Sequence, residues 1–375
     1  MSGIYIHIPY CHKACNYCNF HFSTSLKSID SMIDALCKEL AFKKDYLEGD
    51  IIETIYFGGG TPSILNQKQL ELLFLSIHES YVVSDNAEIT IEANPEDINE
   101  ALLGSWNNMG INRLSIGIQS FQDHYLQWMN RNHSSGEAIN SVYLAQKNGF
   151  KNISIDLIYG LPNLSLEQWK EEINTAINLN VTHISTYCLT IEERTALGKL
   201  VEKGTVQLIS EDEVEKQMLH LMNTLGSVGF EQYEISNFCK PGFESKHNSS
   251  YWKHTSYIGI GPGAHSYNKK NRQHNIANNA LYIKNIRADN FDLNTTTEEL
   301  SETDRYNEYI LTRIRTKWGI NAMELNKLLP TNSDALISTV NTLCANEFLY
   351  LQDNFYKLTQ KGRLLADEIT LKLMV

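Results

Sequence analysis

Cys11, Cys15 and Cys18 stand in the stretch IPYCHKACNYCNF near the start of the chain. Lys13, Asn16 and Asn19, lying among them, make the segment too polar for an ordinary core loop. Two kinds of metal chemistry suit thiolates placed this closely. A structural zinc site wants four closed ligands, normally from two knuckles, and Cys-x3-Cys-x2-Cys is a single knuckle that leaves His12 or His21 to complete the shell. A [4Fe–4S] cluster is the other: three thiolates hold three irons and leave the fourth open to a substrate or cofactor.

Further groups of chemical interest sit at the ends of apolar runs. FGGGTPS (57–63) places three glycines after a strand, where positive φ and close backbone approach to a ligand become possible. Glu92 lies in IEANPED, where its carboxylate either accepts hydrogen bonds from sugar hydroxyls or faces a loop beside the helix start at Asn94-Pro95. Gln119 ends the run RLSIGIQ, and Arg131 follows in WMNRNH. Asp156 sits inside the apolar run IDLIYG, where an unpaired carboxylate is costly, so Arg131 is its expected partner in a buried ion pair or a ligand site. Late in the chain, HNSSYW brings His247, Asn248, Tyr251 and Trp252 together.

The elements that must position these groups follow from the apolar pattern. IYIHI (4–8), IETIYF (52–57), EITIEA (88–93), RLSIGIQ (113–119), ISIDLIYG (153–160) and HISTYCL (183–189) read as short parallel strands buried on both faces. The segments between them carry helical spacing. In 165–180, Leu166, Trp169, Ile173 and Ile177 form a stripe behind a capping box of Ser165 and Gln168. In 211–228, Val214, Met218, Leu221, Met222 and Leu225 form another, for which core packing is the expectation. Six strand–helix units imply an α/β fold with a parallel sheet, either open or partly closed into a barrel. The rhythm breaks near residue 235. Residues 236–275 are rich in Asn, Gly, Ser, His and Tyr, helical patterns resume from 277, and the tail ends in helices and a hairpin around Gln352-Asp353-Asn354, so the expected units are 1–235, a connecting 236–300 and a winged-helix-like 301–375.

Composition excludes several classes. A net charge of −12 argues against broad binding to a phosphate backbone. The winged-helix-like tail has nine basic and nine acidic residues, so DNA binding is not expected of it either. No apolar run reaches the length of a membrane span and no basic leader precedes the first strand. Seven cysteines, an odd number, suit a reducing cytoplasm and a metal site better than a disulfide framework.

The cysteine spacing, directly after an N-terminal strand and with Tyr17 before the last thiol, resembles the radical S-adenosylmethionine (SAM) superfamily. YIHIPYC, YCNF, FGGGTP, IEANP, IGIQSF and IDLIYGLP, in this order and extended by IGIGPGAHS (258–266), are similar to its oxygen-independent coproporphyrinogen III oxidase group. The resemblance implies an incomplete parallel (β/α)6 barrel of the TIM type. It also implies a [4Fe–4S] cluster on Cys11, Cys15 and Cys18 whose open iron is chelated by SAM, and a 5′-deoxyadenosyl radical made when an electron from the cluster cleaves a C–S bond of SAM. By the same resemblance Gly59, Gly60 and Thr61 meet the amino group of SAM, Glu92 meets its ribose, and Tyr5 and Tyr17 approach it. Some relatives hold a second SAM near the positions of Gln119, Arg131 and Asp156.

Two branches of the group diverge at residues visible here. The oxidase, which decarboxylates coproporphyrinogen III to protoporphyrinogen IX, has a further cysteine two positions after the third and an extension before the first strand. This chain has Phe20 there, and Ile4 already begins the strand. The other branch has Phe at that position and an HNxxYW segment, and resembles haem chaperones that pass haem to respiratory haem proteins in transient encounters. That branch implies haem binding by His247, Asn248, Tyr251 and Trp252, with His254 and His265 nearby. The expectation is thus a cytoplasmic haem chaperone, with the oxidase or a radical reaction on another substrate as alternatives, and no residue is assigned a catalytic role.

Overall fold

The computed structural model describes residues 2–328 and 333–375. Six strands lie side by side in chain order, all parallel: β1 (Ser2–Ile8), β2 (Ile52–Gly59), β3 (Val83–Ala93), β4 (Arg113–Gln119), β5 (Asn152–Tyr159) and β6 (His183–Cys188). Their crossovers carry α1 (Ile29–Phe42), α2 (Gln67–Ser80), α3 (Glu100–Asn108), the pair α4 (Asp123–Trp128) and α5 (Ser135–Lys147), and α6 (Leu166–Asn178). This is the incomplete parallel barrel that the family resemblance implies, built from the strand–helix units read from the apolar pattern. Helix α6 begins at the Ser165–Gln168 capping box read from the sequence. After α7 (Ala196–Glu202), α8 (Glu211–Ser227) buries Met218, Leu221, Met222 and Leu225 in the core.

The strands are buried on both faces, as expected, but only one face is apolar. Ile4, Ile6, Ile8, Ile55, Phe57, Ile91, Leu114, Ile116, Ile153, Ile155 and Ile184 belong to the main core, with helix residues such as Leu36, Leu40 and Leu73. The alternate positions are Thr54, Glu88, Thr90, Arg113, Ser115, Ser154, His183 and Ser185, all buried. These polar groups meet one another: His183 bonds Ser154 at 2.8 Å and Tyr233 at 2.8 Å. The period-two alternation of a strand assigns apolar residues to the helix layer and polar ones to the inside of the curve.

Residues 236–300 extend the same sheet. After β7 (Glu231–Gln232), β8 (Asn237–Cys239) pairs antiparallel to β6. Helix α9 (Lys246–Trp252) precedes β9 (Tyr257–Ile260), which joins the free edge of β1 in parallel register. Then β10 (His265–Tyr267), β11 (Asn271–Asn275) and β12 (Thr295–Glu299) continue it, with α10 (Asn279–Arg287) between the last two. Buried Glu39 of α1 ties this segment down: its carboxylate accepts from Gly261 N (2.8 Å), Asn275 Nδ2 (2.7 Å), the Tyr282 hydroxyl and Lys43 Nζ (2.8 Å). A buried carboxylate with four donors is compensated where an unpaired one would not be.

A second, smaller core gathers Tyr306, Tyr309, Ile310, Ile314, Leu349, Leu358, Ile369 and others. It lies among α11 (Glu302–Ile314), β13 (Ile320–Asn321), α12 (Ala322–Leu328), α13 (Ser333–Ala345), the hairpin β14 (Leu349–Gln352) and β15 (Phe355–Leu358), and the terminal helices α14 (Gln360–Leu364) and α15 (Ala366–Leu373). Asp353 and Asn354, at φ 50° and 66°, make the tight hairpin turn read from the sequence. Residues 329–332 of the expected winged-helix-like unit fall outside the described residues. Among the described residues no helix is long and apolar enough to cross a membrane.

Candidate functional site

The C-terminal ends of the barrel strands open on one cavity of about 480 Å3. Barrels of this kind carry their chemistry at that end, because each strand delivers one or two side chains to a common mouth. The loop after β1 brings Cys11, Cys15 and Cys18 to the cavity wall, all three half-buried. The loop is clasped from below. Asn16 Nδ2 donates to Trp128 O (2.6 Å), Asn16 N to Met129 O (3.2 Å), and Asn130 Nδ2 to Ala14 O (2.7 Å). The same 128–131 turn, with Asn130 at φ 63°, delivers Arg131.

Arg131 Nη1 donates to Cys15 Sγ at 3.4 Å, while Nη2 donates to Asn94 Oδ1 (2.7 Å) and Gly117 O (2.9 Å). Its Nε is buried with no partner. The expected ion pair with Asp156 is therefore not formed. The two lie on the same cavity, but the turn that carries Arg131 aims it at the cysteine loop. Asp156 takes Ser115 Oγ at 3.4 Å instead.

Burial pushes the Cys11 thiol up to about 11 against a lowering hydrogen bond from Thr61, and raises Cys18 as well. Without a metal such thiols stay protonated; a coordinating cation deprotonates them outright. Among the described residues no three His, Cys, Asp or Glu side chains are grouped to surround a single metal ion. The two histidines considered for zinc are otherwise placed: His12 Nε2 lies 3.8 Å from Asp97, and His21 Nε2 bonds Asn279 Oδ1 at 2.7 Å. Three soft sulfurs facing one cavity, with a guanidinium on one of them, fit an iron–sulfur cluster held by three thiolates and tuned by a hydrogen bond to sulfur.

The other expected residues divide. Tyr17, Gly59, Gly60, Thr61, Glu92, Gln119, Arg131 and Asp156 all line the cavity. Tyr5 does not line it. It lies opposite Tyr56 in mid-barrel, its hydroxyl 3.0 Å from His7 Nδ1. Gly59 has φ 110°, and a Cβ on Gly60 would stand 2.5 Å from Tyr10 O, so the glycines let β2 pass closely under the start of the cysteine loop. Gln119 also has a positive φ, 68°, at a register shift between β4 and β5. A bulge with a strained non-glycine residue at a barrel rim re-aims a side chain at a functional site.

Glu92 accepts from the Tyr56 hydroxyl at 2.7 Å and from Gly59 N at 3.1 Å. Burial raises its pKa to about 7, with Asp156 adding to the rise and the Tyr56 bond opposing it. Asp156 is raised to about 6, again chiefly by burial. A ligand that favours the ionised Glu92, such as a sulfonium nucleoside with ribose hydroxyls, is then bound more tightly as pH rises through 7. Equilibrium dialysis against SAM should show affinity rising up to about tenfold between pH 6 and 8, with Glu92→Gln weaker and flat across that range. A wild-type profile without slope removes Glu92 from the contact.

The motif expected to face haem is placed differently. His247 is 1% exposed, at the opposite end of the barrel from the cysteine cavity. Its Nδ1 bonds Thr54 Oγ1 (2.8 Å), its Nε2 bonds the Tyr251 hydroxyl (2.8 Å), and its ring stacks on Tyr56 at 5.0 Å. Glu88 caps the helix that carries it, accepting from the N–H of Lys246 (3.0 Å) and of His247 (3.0 Å). Burial lowers the His247 pKa to about 3, so the ring is neutral. With both nitrogens engaged, His247 is a plug of the barrel floor and presents no free nitrogen to iron. Asn248 belongs to the same cap, its N–H donating to Ser245 Oγ at 3.2 Å. Tyr251 is occupied by His247 and packs edge-on against Tyr257, and Trp252 is half-buried.

The sequence reading missed several residues of both ends. Asn94, Ser115, Tyr187 and Cys188 line the cavity, and Glu88 and Tyr56 organise the floor. Glu88, Thr90 and Glu92 alternate along one strand, a visible signal that this face of β3 is polar.

The radical SAM superfamily profile matches residues 5–176 and the HemN C-terminal domain profile matches 300–365. The chain is 33% identical to the heme chaperone HemW of Bacillus subtilis (strain 168), covering 98% of each chain. It is 30% identical to that of Escherichia coli (strain K12), covering 98% of this chain and 96% of the relative. Among solved structures, the coproporphyrinogen III oxidase (HemN) from Escherichia coli, a radical SAM enzyme, superposes with a TM-score of 0.85 over 100% of this chain and 90% of its own. At 21% identity that likeness concerns the fold.

Proposed function

This chain belongs to the heme chaperone HemW family, and on that premise we propose that it acts in the cytoplasm, binding haem and delivering it to haem-requiring respiratory proteins in transient encounters. The observation that carries the reading is similarity to HemW proteins along the whole chain, joined to Phe20 where the oxidase branch has a fourth cysteine. Phe20 stands 68% exposed on the rim of the cysteine cavity and offers no sulfur to it.

Radical SAM membership implies a [4Fe–4S] cluster and SAM. Cys11, Cys15 and Cys18 would hold the cluster, which supplies an electron and an open iron when bound. The chain's own groups then have separable tasks. Arg131 donates to Cys15 and fixes its orientation through Asn94 and Gly117. Thr61 lowers the cost of the Cys11 thiolate. Glu92, fixed by Tyr56 and the Gly59 amide, would offer its carboxylate to the ribose of SAM, and Gly59, Gly60 and Thr61 would meet its amino group, with Tyr17 lining the same cavity. Gln119 and Asp156 line the same cavity, and a second SAM would be held beside them.

One anaerobic preparation tests the reading. Reconstituted with iron, sulfide and SAM, and given a reductant, it should leave coproporphyrinogen III unchanged by chromatography. Given haemin, it should develop a shifted Soret band and restore activity to an apo respiratory haem protein. Steady formation of protoporphyrinogen would instead make the chain an oxidase.

A further inference from the structure

A second cavity, of about 590 Å3, lies on the C-terminal unit, away from the cysteines. Tyr309, Trp318 and Phe355 supply its aromatic walls, and Arg313, Lys317 and Lys357 its cations. Glu324 and Asp353 share the lining with these cations. Some of the positive charge is already matched. Lys317 pairs with Glu231 (3.0 Å) and with Glu244, and Glu324 is occupied by the Tyr309 hydroxyl at 2.8 Å. Lys357 reaches only the neutral Gln352, at 3.2 Å, and Arg313 has a buried Nε without a partner.

Helix α9 ends at this cavity. Lys253, its C-cap, holds Nζ 4.3 Å over the Trp318 ring, and His254 stacks on Tyr309 at 6.2 Å while its Nε2 bonds Thr312 Oγ1 at 2.7 Å. Burial, and then the charges of Arg313 and Lys317 against the opposing pull of Glu244, press the Lys253 ammonium downward in pKa. Among the described residues Arg313 and Lys357 make no ion pair, while Lys317 is matched by Glu231 and Glu244.

The geometry points to this cavity as a binding site for a flat conjugated molecule bearing carboxylates, with the ring system against Tyr309, Trp318 and Phe355 and the carboxylates on Arg313 and Lys357. Resting on the proposed function, that molecule is haem, held by its propionate edge at the end of α9 rather than by His247 at the other. Aromatic walls suit a macrocycle, and guanidinium pairs bidentately with carboxylate.

The test is titration of the anaerobically reconstituted full chain with haemin and, separately, with haemin dimethyl ester, followed by the Soret band and by tryptophan emission. Haemin should bind at least about tenfold more tightly than its ester. Arg313→Gln/Lys357→Gln should weaken haemin by about tenfold or more and leave the ester unchanged, with an unaltered melting curve. Trp318→Phe, which keeps the packing, should retain haemin affinity and lose a share of the emission quenched by haemin. If the wild-type chain fails to bind haemin, the carrier function itself falls, and this site with it. If haemin binds but the double variant matches wild type, or Trp318→Phe leaves quenching intact, the site is wrong while the carrier function stands.

Discussion

Cys15→Ser should strip the reconstituted chain of its iron, from about four irons and four sulfides per chain to below about one of each. The reason is geometric. The three thiols come from one loop whose ends are fixed, Cys11 by its N–H bond to Ser23 O (3.1 Å) and the middle by Asn16 and Asn130. A fixed loop cannot bring another sulfur to a vacated position, and Cys188, on the far wall, belongs to β6. Serine can still accept from Arg131, which donates to Cys15, but it removes the soft thiolate that iron requires. The fold should survive, because the clasp uses backbone groups and asparagine side chains and no sulfur. Iron and sulfide analysis with far-ultraviolet circular dichroism separates the two outcomes. Zinc without sulfide in the wild-type chain, or iron retained in the variant, would overturn the cluster assignment.

His247→Ala should be the most destabilising single change in the motif, costing about 3–5 kcal/mol in the absence of haem and cluster. Truncation leaves the Thr54 and Tyr251 hydroxyls without their partner and opens a ring-sized hole against Tyr5 and Tyr56. Gly3 shows how tightly the space is filled, since a Cβ there would lie 3.3 Å from the His247 Nδ1. His247→Gln, which keeps one polar end, should recover part of the loss. The pH dependence carries the same signature. A buried neutral imidazole lowered to about 3 contributes stability above its unfolded value near 6.5, and that contribution is lost as pH falls from there through 3. His7, lowered to about 4 chiefly by burial, adds to the same slope. Chemical denaturation of the two variants at neutral and mildly acidic pH reads both effects. An Ala variant that unfolds like wild type but no longer binds haemin would return His247 to the role of iron ligand.

The two ends of the barrel share one strand. Glu92 of β3 serves the cysteine cavity and Glu88, four residues earlier on the same face, caps α9. Tyr56 touches both ends, donating to Glu92 and stacking on His247. The alternation that produces this polar column is present in the sequence, in Glu88, Thr90 and Glu92 of one strand, while the partners of each polar group come from other elements.

The sequence by itself determined the three-cysteine loop, the Ser165–Gln168 capping box and the order of strands and helices. Each of these depends on neighbours a few residues apart, whose geometry the backbone fixes locally: three thiols in one loop, Ser165 with Gln168, Asp353 with Asn354. Only the tertiary structure decided that Arg131 turns to Cys15 and Asn94 rather than to Asp156, that Tyr5 lies below the cavity, and that His247 is sealed in the floor. Those outcomes join residues as far apart as Thr54 and His247, 193 positions from each other. No local propensity encodes such a contact; it exists once the sheet has curved far enough to bring one strand's polar face against a helix folded much later in the chain.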